Sequence, residues 1–145
     1  MLNDLYQEII IDHSRRPRNF HAMEEATQRV EGYNPLCGDK LALYLKIENN
    51  HVCDISFVGS GCAISTASAS LMTESIKGKT REEAEAMVER FHDLLTTEKP
   101  APKDLGKLAA FSGVREFPAR VKCATLAWHT LKSAIDGKGE VVSTE

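Results

Sequence analysis

The sequence predicts an α+β fold, in which helices pack on one face of a small antiparallel sheet of about three strands. Two neighbouring segments between residues 41 and 58 alternate apolar and polar side chains, as strands with one buried face do. Segments beyond residue 60 instead carry helix start and stop signals, and the last has apolar residues spaced three and four apart. Strands followed by a run of helices are typical of α+β domains.

Two strands of the sheet are predicted to form a hairpin. Every odd position in residues 41–47 is large and aliphatic, and apolar side chains at positions 53, 55 and 57 alternate with polar ones in residues 52–58. Residues 48–51 join the two segments, which predicts antiparallel pairing with one face on the core. A third, less regular strand is predicted around residues 28–33. The alternation places Cys53 on the buried face, where a free cysteine acts as a small hydrophobic residue.

Helices are predicted at the N-terminus and throughout the second half of the chain, over residues 3–15, 62–76, 80–95, 105–111 and 118–135. Asn3 or Asp4 is the expected N-cap of the first helix, and Pro17 ends it. Thr80 opens a capping-box pattern at the start of the third helix. Residues 96–102, which include two prolines, are predicted as a surface loop.

Length, charge and hydropathy limit the classes of protein to which this chain can belong. A chain of 145 residues fits one domain, which we expect to span residues 1–145. The 18 Lys and Arg residues are outnumbered by 21 Asp and Glu residues, so we expect no surface for nucleic acid. No segment approaches the roughly 18 apolar residues of a membrane helix, and the N-terminal segment lacks the basic region of a signal peptide. We therefore expect a cytoplasmic protein, whose four cysteines indicate metal binding or catalysis rather than disulfides.

Three cysteines and one aspartate are candidate metal ligands. Cys37 and Asp39 flank a glycine in a tight turn, Cys62 lies at a strand-to-helix junction, and Cys123 lies in the first turns of the last helix. Helix N-termini favour the thiolate form of cysteine, and sulfur ligands select zinc, copper(I) or iron–sulfur clusters. The spacing alone leaves two readings open, one shared metal site or three unrelated cysteines.

The five histidines are predicted to lie outside such a site. Those expected in solvent are His21, His51 and His92. His129 follows Cys123 by six residues, so it points to a different side of the helix. The presence of His13 is explained if its side chain caps the end of a helix.

Five short motifs occur in order along the chain: Asp12-His13 with Pro17-Arg18-Asn19, Cys37-Gly38-Asp39, Gly61-Cys62-Ala63-Ile64-Ser65, Lys77-Gly78-Lys79-Thr80, and Arg120-Val121-Lys122-Cys123-Ala124. With these motifs the chain resembles the NifU N-terminal and IscU-like proteins of iron–sulfur cluster assembly, and among them the SufU branch most closely. The resemblance runs from Tyr6 to about Ile135, nearly the whole chain.

The resemblance implies a SufU/IscU-like fold and a zinc-dependent sulfurtransferase. It implies a zinc ion whose ligands are Cys37, Asp39, Cys62 and Cys123. Cys37 would accept the outer sulfur of a persulfide from a PLP-dependent cysteine desulfurase of the SufS type, and a histidine of that enzyme would take the place of Cys37 on zinc. Arg120 would be a catalytic residue near the site. Other SUF assembly proteins are the expected sulfur acceptors.

Two alternatives remain from the sequence. The same ligands would suit a scaffold that holds iron or an iron–sulfur cluster, or a structural zinc module that organises a binding surface. In IscU-type scaffolds a histidine precedes the last cysteine, and here Lys122 occupies that place. The segment from Thr80 to Arg120 is also longer than in the scaffold pattern, a feature that resembles SufU.

Overall fold

The computed structural model describes residues 2–97, 103–137 and 142–143. Within these ranges the elements are α1 (Leu2–Arg15), β1 (Gln28–Asn34), β2 (Asp39–Glu48), β3 (His51–Ser60), α2 (Ala63–Ile76), α3 (Arg81–Thr96), a 3-10 segment (Lys103–Glu116), α4 (Pro118–Ile135) and β4 (Val142–Ser143). The strands form one sheet in the order β3-β2-β1-β4. The predicted α+β class is confirmed.

The hairpin of β2 and β3 is confirmed as antiparallel, and β1 pairs antiparallel with the other side of β2. Asn49 and Asn50 connect the hairpin with φ angles of 51° and 65°. Two successive left-handed residues are typical of the type I′ turn, whose twist matches the twist of paired strands. The short strand β4, which the sequence pattern did not predict, runs parallel to β1.

Helices α2 and α4 pack on one face of the sheet, as predicted. The core on that face includes Leu43, Leu45 and Ile55, each without exposed surface. The indole of Trp128 stacks on Phe91 of α3 with ring centroids 4.5 Å apart. Stacked aromatic rings and aliphatic side chains at this depth remove a large apolar area from water, which is the main stabilising contribution to such a fold.

Gly32 lets helix α4 lie close to the sheet. A Cβ atom at this position would overlap Thr130 Oγ1 and lie 3.2 Å from Leu126 Cδ1. Because Leu126 is one helical turn after Cys123, this close approach also brings the start of α4 to the end of β1. The contact therefore positions one of the candidate ligands.

The prediction that Cys53 is buried was wrong, because a β-bulge changes which side chains face the core. Ile47 pairs with Val52 but Lys46 pairs with Asp54, so Cys53 is an extra residue in β3. The inward-facing positions pass from Val52 directly to Ile55, and Cys53 is exposed.

Helix boundaries follow the sequence signals with a few differences. Helix α1 begins at Leu2, so Asn3 and Asp4 are inside the helix rather than at its N-cap, and it ends before Pro17 as predicted. The capping box at Thr80 is confirmed. The segment predicted as a short helix over residues 105–111 is part of a longer 3-10 segment with a kink at Gly106.

The N-terminal helix is attached to α2 through His13. Its Nδ1 atom lies 2.7 Å from Ser70 Oγ, and its Nε2 atom lies 3.6 Å from a carboxylate oxygen of Glu74. The imidazole is buried and contacts a neighbouring helix, so the prediction that it caps a helix end was wrong. Residues 98–102 of the predicted loop lie outside the described residues. None of the described helices has the length and apolar character needed to span a membrane.

Candidate metal centre

The core-facing row of the sheet ends in two polar residues. The alternation that buries Leu45, Leu43 and Leu41 continues to Asp39, which has no exposed surface. Asp39 pairs across the strands with Asn34, which is equally buried at the end of β1. A carboxylate at the end of an aliphatic row is costly to bury unless it is hydrogen-bonded or paired with a cation. This end of the sheet therefore has the character of a binding site.

The turn between β1 and β2 carries Cys37. Gly38 follows with a φ of 71°, a left-handed conformation that favours glycine. The turn leaves Cys37 exposed and brings its Sγ atom to 3.0 Å from Cys123 Sγ. This separation is well beyond the roughly 2.0 Å of a disulfide bond, so both residues are free thiols.

Helix α2 begins directly against Asp39. A Cβ atom on Gly61 would lie 3.0 Å from Asp39 Cγ, so the close approach requires glycine. The backbone N–H of Cys62 donates to Asp39 Oδ1 at 2.8 Å. Cys62 is the N-cap of α2, and its Sγ atom accepts a hydrogen bond from Ser65 N at 3.4 Å. The same sulfur lies 3.9 Å from Asp39 Oδ2.

Cys123 lies in the second turn of α4 and is fully buried. Burial raises the pKa of its thiol, and the adjacent Cys37 and Asp39 raise that pKa further. The prediction that the helix start eases ionisation of this sulfur was therefore wrong for the protein without a cation. The helix dipole acts mainly within the first turn, and desolvation dominates at the depth of Cys123.

The geometry brings three of the four predicted ligands into one tight group. Ligand atoms of Cys37, Asp39 and Cys123 all lie within 4.8 Å of one another, and Cys62 approaches this group through Asp39. Two thiols and a carboxylate at these distances repel one another once ionised unless a cation lies between them. The donor set therefore fits a metal ion that accepts sulfur and oxygen ligands, such as zinc.

Arg120 is on the same helix as Cys123, three residues earlier in the chain, and does not join this group. It is on the exposed first turn of α4, where it lines a groove of about 720 Å³ with Tyr6 and Phe117. Over the described ranges, no hydrogen bond or ion pair links the Arg120 side chain to the four ligand candidates. Its predicted catalytic role stays a prediction.

The remaining histidines lie away from the site. His21 and His51 are exposed, as predicted. The rings of His92 and His129 contact each other edge to face between α3 and α4, with centroids 6.0 Å apart.

Asn34 belongs to the site although the sequence reasoning missed it. Its Nδ2 atom lies 3.4 Å from Asp39 Oδ2 and 3.6 Å from Cys123 Sγ. Its Oδ1 atom accepts a hydrogen bond from Leu36 N at 3.2 Å. The Asn-Pro dipeptide at residues 34–35 was an available signal, since asparagine before proline often starts a turn by bonding its own backbone two residues on.

Comparison with known proteins places this site in a family. Residues 5–136 match the profile of the family described as NifU-like N terminal domain. The chain belongs to this family. The match extends from α1 through α4, so it includes every segment that contributes to the candidate centre.

Two curated relatives of this NifU-like chain carry different functional names. It is 43% identical over 135 residues to a protein of Bacillus subtilis (strain 168) named zinc-dependent sulfurtransferase SufU, covering 92% of this chain and 91% of the relative. It is 44% identical over 135 residues to a protein of Streptococcus pyogenes serotype M1 named iron–sulfur cluster assembly scaffold protein IscU, covering 92% and 84%.

A solved structure supports the same family membership. The fold superposes with a TM-score of 0.84 and 36% identity on a crystal structure from Fervidobacterium islandicum AW-1, covering 92% of this chain and 98% of the other. That protein is described as a candidate iron–sulfur cluster assembly scaffold for the SUF system. The chain is therefore a member of the iron–sulfur cluster assembly scaffold and SufU family, whose named relatives divide between scaffold and sulfurtransferase.

Proposed function

We propose that this protein is a zinc-dependent sulfurtransferase, which accepts persulfide sulfur on Cys37 from a cysteine desulfurase of the SufS type and passes it on. The proposed metal ligands are Cys37, Asp39, Cys62 and Cys123. One observation carries the proposal: an exposed cysteine sulfur lies 3.0 Å from a buried one, beside a buried carboxylate. Such a group can bind a metal and still present one sulfur to another protein.

The ligand set suits zinc. Thiolates and a carboxylate are ordinary zinc ligands, and four of them satisfy its tetrahedral preference. Zinc, when bound, keeps its thiol ligands deprotonated at neutral pH. This offsets the burial that raises the pKa of Cys123.

Cys37 is the ligand suited to accept sulfur. Its side chain is exposed, whereas Asp39 and Cys123 are buried and Cys62 caps a helix. The Cys37 thiolate would attack the outer sulfur of the donor persulfide. A new S–S bond then forms on Cys37, the donor S–S bond breaks, and the donor cysteine leaves as a thiolate.

Arg120 is the second residue proposed to act in the transfer. It is exposed on α4, three residues before Cys123, and its guanidinium would stabilise a thiolate or persulfide anion at Cys37 during the transfer. We propose other SUF assembly proteins as acceptors of the sulfur.

The expectations of one domain over residues 1–145 and of a cytoplasmic location stay predictions.

The test is a desulfurase assay on the purified protein after its metal content has been measured. We expect about one zinc per chain, a several-fold increase in the turnover of a SufS-type desulfurase, and loss of that increase in Cys37→Ser. Cys53→Ser is the matched control, since Cys53 is an exposed thiol outside the centre. Equal activity of Cys37→Ser and the parent protein would refute the transfer role. Unfolding of Cys37→Ser would instead favour the structural zinc module.

A scaffold for an iron–sulfur cluster is the second candidate, because relatives such as the Streptococcus pyogenes protein are named scaffolds. The test is anaerobic incubation with ferrous iron and sulfide. A coloured protein whose cluster survives gel filtration supports the scaffold. A colourless zinc protein that stimulates the desulfurase rejects it.

A further inference from the structure

The orientation of the Asn34 side chain is determined by its own turn. The backbone N–H of Leu36 donates to Oδ1 of Asn34 at 3.2 Å. A side-chain amide nitrogen cannot accept that hydrogen bond, so the oxygen must face Leu36. The Nδ2 group therefore faces the candidate metal centre.

The two hydrogens of this amide have two acceptors in the centre. Nδ2 lies 3.4 Å from Asp39 Oδ2 and 3.6 Å from Cys123 Sγ. All three side chains are fully buried, so water does not replace this donor if it is removed. Asn34 thus links the turn that carries Cys37 to two other candidate ligands.

The N–H donors of the site are distributed unequally. The carboxylate of Asp39 accepts one from Cys62 N and one from Asn34, and Cys123 accepts from Asn34. The sulfur of Cys62 accepts from Ser65 N. In the part of the chain that the structure describes, Cys37 Sγ accepts no hydrogen bond from an N–H group, and its polar contact is with Cys123 Sγ.

We propose that Asn34 is a positioning residue, whose amide retains Asp39 and Cys123 as ligands and leaves Cys37 as the ligand that can depart. Hydrogen bonds from N–H groups stabilise anionic ligands and fix their direction toward a metal. A ligand without such a donor is less restrained. This inference rests on the ligand set of the proposed function.

Two variants test the role. Asn34→Ala removes the amide, and Asn34→Asp keeps its size but replaces the donor with a negative charge next to Asp39. We expect each variant to bind zinc about 10–100-fold more weakly in competition with a chelator, as loss of a hydrogen bond to a metal ligand commonly does. The Co²⁺-substituted protein should show altered visible absorption bands, because the direction of the ligands changes. Sulfur transfer should decrease in kcat with little change in KM for the desulfurase, since a fully buried Asn34 side chain cannot itself contact that enzyme.

Thr73→Val is the matched control. Thr73 is buried on α2, eleven residues beyond Cys62, and its hydroxyl donates to Ser70 O at 2.7 Å. We expect this variant to be less stable to heat but to keep the zinc affinity and Co²⁺ spectrum of the parent protein. If Thr73→Val lost affinity to the same degree, the effect of Asn34 would be general destabilisation and the proposal would be overturned.

Two results separate this inference from the proposed function. Parent-like zinc affinity and Co²⁺ spectrum in Asn34→Ala overturn the role of Asn34 and leave sulfur transfer intact. Weakened metal binding in Asn34→Ala, in a parent protein that fails to stimulate a desulfurase, supports the role of Asn34 and refutes the transfer function. If Asn34→Asp does not fold, Asn34→Ala decides.

Discussion

Replacing Gly61 with alanine should damage the candidate metal centre through a single methyl group. The added Cβ would lie 3.0 Å from Asp39 Cγ, closer than ordinary contacts allow. Gly61 has no left-handed backbone angle, so the effect is steric rather than a matter of φ. Either the start of α2 moves away or the carboxylate of Asp39 turns.

The free-energy cost of each response can be calculated. Overpacking of this kind destabilises a protein by about 1–3 kcal/mol. Turning Asp39 breaks the 2.8 Å hydrogen bond from Cys62 N, and a hydrogen bond to a charged group contributes roughly 1.5–3 kcal/mol. The protein takes the less costly response, so we expect a loss of about 2 kcal/mol in the free energy of unfolding. For a chain of this length this corresponds to a decrease in Tm of about 5 °C.

The assay is thermal unfolding of the zinc-loaded protein, with chelator competition as a second measurement. A loss of about 2 kcal/mol in the free energy of zinc binding corresponds to a roughly 30-fold higher Kd. Gly113→Ala is the matched control, because a Cβ atom there meets nothing within 4 Å. Indistinguishable Tm and zinc affinity in Gly61→Ala and Gly113→Ala would refute the close approach of α2 to Asp39.

Three further outcomes are expected. Removing the metal with a chelator should lower the Tm by about 10 °C, because a metal at a thousand times its Kd stabilises the folded state by about 4 kcal/mol; an unchanged Tm would contradict a bridging ion. Iodoacetamide should label Cys37 and Cys53 of the metal-free protein before Cys123, as mass spectrometry of peptides can show, because only Cys123 is buried. Burial lowers the pKa of His13 below its ordinary 6.5. The imidazole therefore binds a proton more tightly in the unfolded chain than in the folded protein, and the free energy of unfolding should fall as the pH decreases below about 6.5. His13→Gln should reduce the difference in Tm between about pH 7.5 and about pH 5.5, and an unchanged difference would contradict this assignment.

Local patterns predicted the fold because each element carries its own signal. Period-two alternation identified the hairpin, and the capping box at Thr80 identified the start of α3. The same alternation, extended by one step from Leu41, places Asp39 on the core face. The bulge at Cys53 has no such signal, because an extra residue becomes visible only when its partner strand is aligned.

The candidate centre could be predicted only in part, for a related reason. Residue types and motifs indicated the four ligands, but the ionisation of Cys123 depends on how deeply α4 packs, which its own sequence does not reveal. The contacts of Asn34 join three chain segments, so no window of sequence contains them. The sequence placed Arg120 on α4. The distance from its guanidinium to the candidate ligands depends instead on the conformation of an exposed side chain.

The sulfurs of Cys37 and Cys123 that meet at 3.0 Å are 86 positions apart in the chain. During synthesis on the ribosome, the β1–β2 turn therefore emerges several seconds before α4, at the usual rate of about 5–20 residues per second. A nascent chain that ends before α4 lacks one of the two adjacent sulfurs. Capture of an ion by the complete proposed ligand set would thus be a late event in biogenesis, which follows release of the last helix.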